Sequence, residues 1–222
     1  MTFGQNVIKF YNDLTEPKDL PEGVEVLFPF KKDEVKKAIR IFNKSFFDDN
    51  NPRTFLIGIN PGRLGGGVTG IPFTDPLRLE STLGSCNTFD KKRELSSDFI
   101  YQMIEHLGGV NSFYSQFYFT SVSPVGFVKE GKNLNYYDIP ALEDAWEGYM
   151  VKHFNEQISF GANKVAFSLC QCKNIAFLKK FNAKHKFFDE IRPLPHPRWV
   201  MQYRLKRLPE FLDLYKTELL EK

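Results

Sequence analysis

At 222 residues, with 42% hydrophobic and 26% charged residues, the chain is long enough for one sizeable core and has the balance of a soluble globular protein. A formal net charge of +3, from 30 basic and 27 acidic residues, is too small for bulk charge to indicate a polyanion partner, which leaves only a local patch to do so. No apolar run reaches the roughly twenty residues of a membrane span; residues 1–14 lack the basic-then-apolar pattern of a secretory leader; and three cysteines suit reduced thiols, so a cytoplasmic protein is expected.

In chain order, residues 1–14 read as a short amphipathic helix, and 19–30 as a turn-rich stretch that wraps the surface. Asp33 is placed to cap a helix with Val35, Ile39, Phe42 and Phe46 on one face. Residues 53–59 form a short apolar run expected as a buried strand. After a long loop, Ser96 or Ser97 is placed to cap a helix carrying Phe99, Met103 and Leu107, stopped by Gly108. Residues 116–122 read as a second strand. Residues 138–159 read as a helix capped by Asp138, with Pro140 in its first turn. Residues 164–169 form a third strand, 172–182 a helix, 187–191 a fourth strand, and the last thirty residues a helical tail kinked near Pro209. With 23 phenylalanines spread through these elements, most rings belong to the core and none is functional by default.

Strands alternating with helices predict an α/β fold, a three-layer α/β/α sandwich around a central four-stranded parallel sheet, built as one domain over residues 1–222. Ligands of such sheets bind at the carboxyl ends of the strands, which directs attention to 60–67, 121–126, 170–172 and 194–198. The first of these is glycine-rich. Gly65, Gly67 and Gly70 have the spacing of a dinucleotide fingerprint after a strand. Pro72 and Pro76 oppose the helix N-terminus that a pyrophosphate needs, and no Lys-Ser/Thr follows for a Walker loop. Cys170 and Cys172 make half a metal site at most, with no second close pair; no metal is expected.

Four residues in these loops carry either chemistry or plain structure. Asn60, stiffened by Pro61 and followed by the permissive Gly62, either caps a turn or holds a water or ligand by its amide. Phe73 is either core or a ring that stacks on a flat base. His196, locked between Pro195 and Pro197, is either a surface residue or a held hydrogen-bond donor. Arg198 and Arg204, with Lys206 and Arg207, are either a solvated face or contacts to backbone phosphates.

Together these segments resemble a known family. Gly58-Ile59-Asn60-Pro61-Gly62, followed by Thr69-Gly70-Ile71-Pro72-Phe73, is similar to the first motif of the single-strand-selective monofunctional uracil-DNA glycosylases, within the uracil-DNA glycosylase superfamily. Gly131-Lys132-Asn133-Leu134 through Pro140 resembles that family's stretch leading into a helix, and His196-Pro197 its last motif. The resemblance implies a monofunctional DNA glycosylase that excises a flipped, deaminated base. Asn60 would position the water, Phe73 would stack on the base, and His196 would stabilise charge on its O2. Gly62 and Ser121 would complete the base pocket. DNA, single- or double-stranded, would be the partner of a monomer without cofactor. Ser121 stands where the family has its base-reading asparagine, as in a divergent bacterial subfamily, and this opens the pocket to xanthine or hypoxanthine besides uracil. After His196-Pro197, the residues Arg198, Trp199 and Met201 are candidates to fill the gap left by the flipped nucleotide. Two rivals remain: a nucleic-acid-binding protein of the same fold with catalysis lost, and a nucleotide-dependent oxidoreductase resting on the glycine pattern.

Overall fold

The computed structural model describes the chain except for residues 19, 85, 172, 221 and 222 and the side chains of 140, 141 and 143–145. Cys172, half of the candidate thiol pair, therefore lies outside the described residues.

Helix α1 (Phe3–Asp13) starts with a reciprocal cap. The Thr2 hydroxyl accepts from the Gln5 amide at 3.2 Å, and the Gln5 side chain accepts from the Thr2 amide at 2.9 Å. Strand β1 (Val24–Leu27) follows, then helix α2 (Asp33–Phe46), which buries Val35, Ala38, Ile39 and Phe42. Strand β2 (Thr54–Gly58) is the first of the main sheet. Three helices and a short turn come next: α3 (Gly66–Thr69), α4 (Pro76–Leu83), α5 (Leu95–His106) and α6 (Gly109–Tyr114). Strand β3 (Phe117–Ser121) precedes a hairpin of β4 (Gly126–Lys129) and β5 (Lys132–Leu134). Helix α7 (Pro140–Ile158), strand β6 (Val165–Ser168), helix α8 (Lys173–His185) and strand β7 (Glu190–Pro193) lead to the C-terminal helices α9 (Pro197–Tyr203) and α10 (Leu208–Leu220).

The main sheet is the expected four-stranded parallel one, in the order β3-β2-β6-β7. Strands β2, β3 and β6 are buried at nearly every position because both faces are covered, while the edge strand β7 buries only Ile191. On one face Phe55 meets Phe3 of α1 and Phe188, and Phe154 of α7 packs on Phe188 in turn. On the other, Leu56 lies beside Phe119, which stacks on Phe113 of α6 at 5.3 Å. At the foot of β2, Arg53 is fully buried. It donates to the Tyr114 carbonyl at 2.8 Å and grips both oxygens of Asp49, between the rings of Phe3 and Phe47. Parallel register aligns Gly58 with Ser121 and Ser168 with Pro193, so three site loops leave the sheet along one edge.

Several local expectations need correction. The stretch 19–30 is not only a surface wrap: β1 pairs antiparallel with β4, which pairs with β5, making a second, three-stranded sheet. The β4–β5 turn has positive φ at both Glu130 (50°) and Gly131 (70°), the twist a two-residue hairpin demands. Asp33 lies inside the first turn of α2, after Lys32 as cap. Ser96 and Ser97 lie inside α5, whose cap position is Glu94. Asp138 does not cap α7; its carboxylate instead accepts from the Asn135 amide at 2.9 Å. The fourth strand runs later than expected, over Glu190–Pro193. The C-terminal tail breaks at 204–207, before Pro209, because Pro209 sits in the first turn of α10, where its missing N–H costs nothing.

Candidate active site

The carboxyl edge of the sheet opens into a cavity of about 550 Å³, lined by Asn60, Gly62, Phe73, Ser121 and His196 together with Glu94. Five positions read from three separate loops thus meet in one space. Of the fourth post-strand segment, Cys170 is buried and does not line the cavity. Arg198 lines the cavity, whereas Arg204 does not. Its guanidinium lies 4.7 Å from the Trp199 ring centroid on the exposed end of α9.

Asn60 ends the turn after β2. Its amide nitrogen donates to the Leu134 carbonyl at 3.2 Å, and that carbonyl can only accept. The other end of the amide is therefore the oxygen, which is buried and has no partner within the described residues. An orphan acceptor of this kind costs roughly 1–3 kcal/mol, and a water or substrate donor would satisfy it. The small sheet braces this turn. Asn133 accepts from the Arg63 amide at 3.1 Å, and the backbone of Gly126 lies against the Pro61 carbonyl, where a Cβ would come within 2.1 Å.

Phe73 closes the glycine loop with φ of 55°, a conformation that bulky residues rarely adopt. Thr69 holds it there: its hydroxyl donates to the Thr74 carbonyl at 2.7 Å and accepts from the Ile71 amide at 3.2 Å. The Phe73 ring reaches so close to β2 that a Cβ on Gly58 would meet it at 2.9 Å. The other glycines serve internal packing. A Cβ on Gly65 would strike Glu94, one on Gly67 the Gly62 carbonyl, and one on Gly70 both Val35 and Ile39. A four-residue helix does begin at Gly66, but Gly70 ends it in the left-handed region. The loop's glycines admit protein atoms into close contact.

His196 caps α9: its Nδ1 accepts from the Arg198 amide at 3.1 Å. Burial, with Arg198 adding to it, pushes its pKa down to about 4, so the ring is neutral near neutral pH. A neutral imidazole whose Nδ1 accepts must carry its proton on Nε2. The loop is held behind it by the Tyr215 hydroxyl, which donates to the Pro195 carbonyl, and by the Leu194 amide, which donates to Ser168 at 2.8 Å. Pro197 is the first residue of α9, where its missing N–H costs nothing.

Ser121 is buried, and its hydroxyl donates to the Ser123 carbonyl at 2.7 Å. With its one proton committed, it faces a ligand as an acceptor only.

Folding brings together two acidic residues that the sequence did not pair. Asp75, fully buried, caps α4 by accepting from the Arg78 amide at 2.9 Å and also accepts from the Glu94 amide at 3.0 Å. Burial first and Asp75 second, opposed by Arg198, push the Glu94 pKa up to about 7. Pro76, read from the sequence as opposing a helix, instead starts α4 behind the Asp75 cap. Glu94 gave no sign, because neighbouring serines looked like the better caps. Among the described residues no three His, Cys, Asp or Glu side chains gather to hold a metal, and no helix is long and apolar enough to cross a membrane.

An orphan amide acceptor, a neutral Nε2–H donor and a strained aromatic wall at the carboxyl edge of a parallel sheet define the site class. The profile of the uracil DNA glycosylase superfamily matches residues 44–220, and the chain belongs to that superfamily. The crystal structure of wild-type SMUG2 from Pedobacter heparinus is similar throughout: 38% identity, TM-score 0.94, covering 98% of this chain and 97% of that one. No curated protein matches the chain.

Proposed function

We propose that the protein is a monofunctional DNA glycosylase of base excision repair, hydrolysing the N-glycosidic bond of a deaminated base flipped out of DNA. The observation that carries this reading is the convergence of Asn60 Oδ1 without a partner and a neutral His196 on one cavity. As the C1′–N bond breaks, its electrons pass to the base, and charge grows on a carbonyl oxygen. The Nε2–H of His196 stabilises that oxygen, and being neutral it does so without delivering a full charge or a proton. Asn60 Oδ1 accepts a hydrogen bond from the water that adds to C1′. An amide is not a base, so the water loses its proton to solvent after attack. Phe73 offers its face to the base. No lysine lines the cavity among the described residues, so the product is an abasic site and an uncut strand. Each step uses side chains and water and calls for no cofactor.

Ser121 as an acceptor-only group suits a base N–H and leaves a carbonyl unread, consistent with a range that includes xanthine or hypoxanthine besides uracil. Arg63, Arg93 and Arg198 line the cavity and suit phosphate contacts, while Arg204 and the exposed Trp199 would meet DNA at the end of α9. A cytoplasmic monomer meets these needs. Asn60→Ala tests the mechanism: turnover should fall by at least ~10²-fold while binding to abasic-site DNA persists. Turnover within threefold of wild type would remove the water-positioning role.

A further inference from the structure

Among the described residues Glu94 is the one carboxyl that lines the cavity, and nothing in the mechanism above uses it. Its side chain has no hydrogen-bond or ion-pair partner among the described residues. The carboxyl occupies the space that side chains at 62 and 65 would fill: a Cβ on Gly62 would lie 2.8 Å from one oxygen, and one on Gly65 2.0 Å from the other. Two glycines therefore clear the wall beside Asn60, and Glu94 enters the gap.

The donors around the cavity show what it could do there. Deamination replaces an amine with a carbonyl, so a pocket for deaminated bases needs hydrogen-bond donors. Ser121 has committed its proton to Ser123, and Asn60 one of its two amide hydrogens to Leu134. His196 supplies one donor, which cannot serve both ring carbonyls of uracil or xanthine. We propose that Glu94 reads the extruded base as a neutral carboxylic acid, its O–H donating to a base carbonyl that His196 does not reach. The inference rests on the glycosylase reading of the site.

The surroundings support the neutral form. Asp75 holds the Glu94 backbone from one side, and Asp98 follows on α5, where Arg78 and Arg93 neutralise it. Arg198, Arg63 and the neutral His196 face the same cavity and favour or tolerate ionisation. Burial and Asp75 prevail, so the acid titrates near 7. Above that pH the carboxylate can only accept, and it repels a carbonyl. Asn133 offers an amide donor from the same wall, but an amide does not titrate, which separates the two experimentally.

The test is single-turnover release of uracil and xanthine from oligonucleotides between pH 6 and 8.5. Wild type should lose roughly tenfold across that range, the worth of one hydrogen bond to a charged or neutral carboxyl. Glu94→Gln, which keeps a donor and an acceptor at every pH, should abolish the dependence. Glu94→Ala should slow release at least tenfold at pH 6 and far less at pH 8.5. The proposal is overturned if Glu94→Gln keeps the wild-type profile, or if Glu94→Ala lowers the rate equally at both pH values, as a loop-bracing residue would. If wild type releases no base at all, the glycosylase reading fails. The Glu94 carboxyl is then followed by carbon-13 NMR with free uracil or free xanthine. A midpoint that rises on saturation supports base reading by the neutral acid; an unmoved midpoint rejects it.

Discussion

Replacing Gly126 by alanine would put a methyl carbon 2.1 Å from the Pro61 carbonyl oxygen, where ordinary contact begins at 3.4 Å. The Leu27 side chain of β1 lies 3.0 Å from the same point and would have to shift as well. The obstacle is backbone, so about 1 Å must be absorbed by the turn that carries Asn60, or by the strand pair whose Leu134 anchors the Asn60 amide at 3.2 Å. Overpacking of this kind costs ~1–3 kcal/mol, which at this chain length lowers the melting temperature by about 2–4 °C per kcal/mol. Against the ~5–15 kcal/mol of an ordinary domain, this leaves the variant folded at 25 °C. Misplacing a reacting group by 1 Å costs on the order of 10²-fold in rate. Gly126→Ala should therefore cut single-turnover base release ~10²-fold with only a modest fall in melting temperature. Gly131→Ala, at a positive-φ turn of the same hairpin with open space around it, should cost stability but keep the rate within a few fold. Base release by Gly126→Ala within threefold of wild type would refute the claim that the small sheet positions Asn60.

His196→Ala should slow base release by ~10²–10³-fold, the worth of one charge-stabilising donor, as measured under single-turnover conditions; a loss below threefold contradicts the donor assignment. Acid stability gives a separate check on His153, which burial first and Lys152 second push down to about 4. A histidine with a lowered folded pKa contributes stability that is present above its ordinary value of 6.5 and is lost as pH falls through 4. His153 is buried between Tyr149 and Phe10. His153→Gln should therefore reduce the fall in melting temperature between pH 6.5 and 4 by the equivalent of roughly 1–3 kcal/mol; identical pH–melting curves for variant and wild type would rule this out.

Strands β2, β3 and β6 of the main sheet were legible because they are largely buried and read as near-continuous apolar runs, whereas the edge strand β7 buries only Ile191 and was expected too early in the chain; parallel topology then located the site loops. Asn60, Phe73, Ser121 and His196 follow from that placement together with the family resemblance, and they share one cavity. What stayed hidden is non-local. The β4–β5 hairpin turns at Glu130-Gly131 and is recognisable only once β1 pairs with it. Helix caps were misassigned where several polar residues compete: Ser96 and Ser97 have the better propensity, yet Glu94 holds the position because Asp75, nineteen residues away in sequence, accepts from its amide. The tautomer of His196 and the committed proton of Ser121 depend on backbone groups that only the folded loops bring near.

Base release itself tests the central claim most directly. The wild-type protein would be incubated in EDTA with labelled oligonucleotides containing uracil, xanthine or hypoxanthine, single- and double-stranded, then treated with alkali. The account predicts strand breaks at the modified base only after alkali, and their disappearance in Asn60→Ala. Intact strands from every substrate would contradict it and leave a protein of this fold that binds nucleic acid without cutting the glycosidic bond.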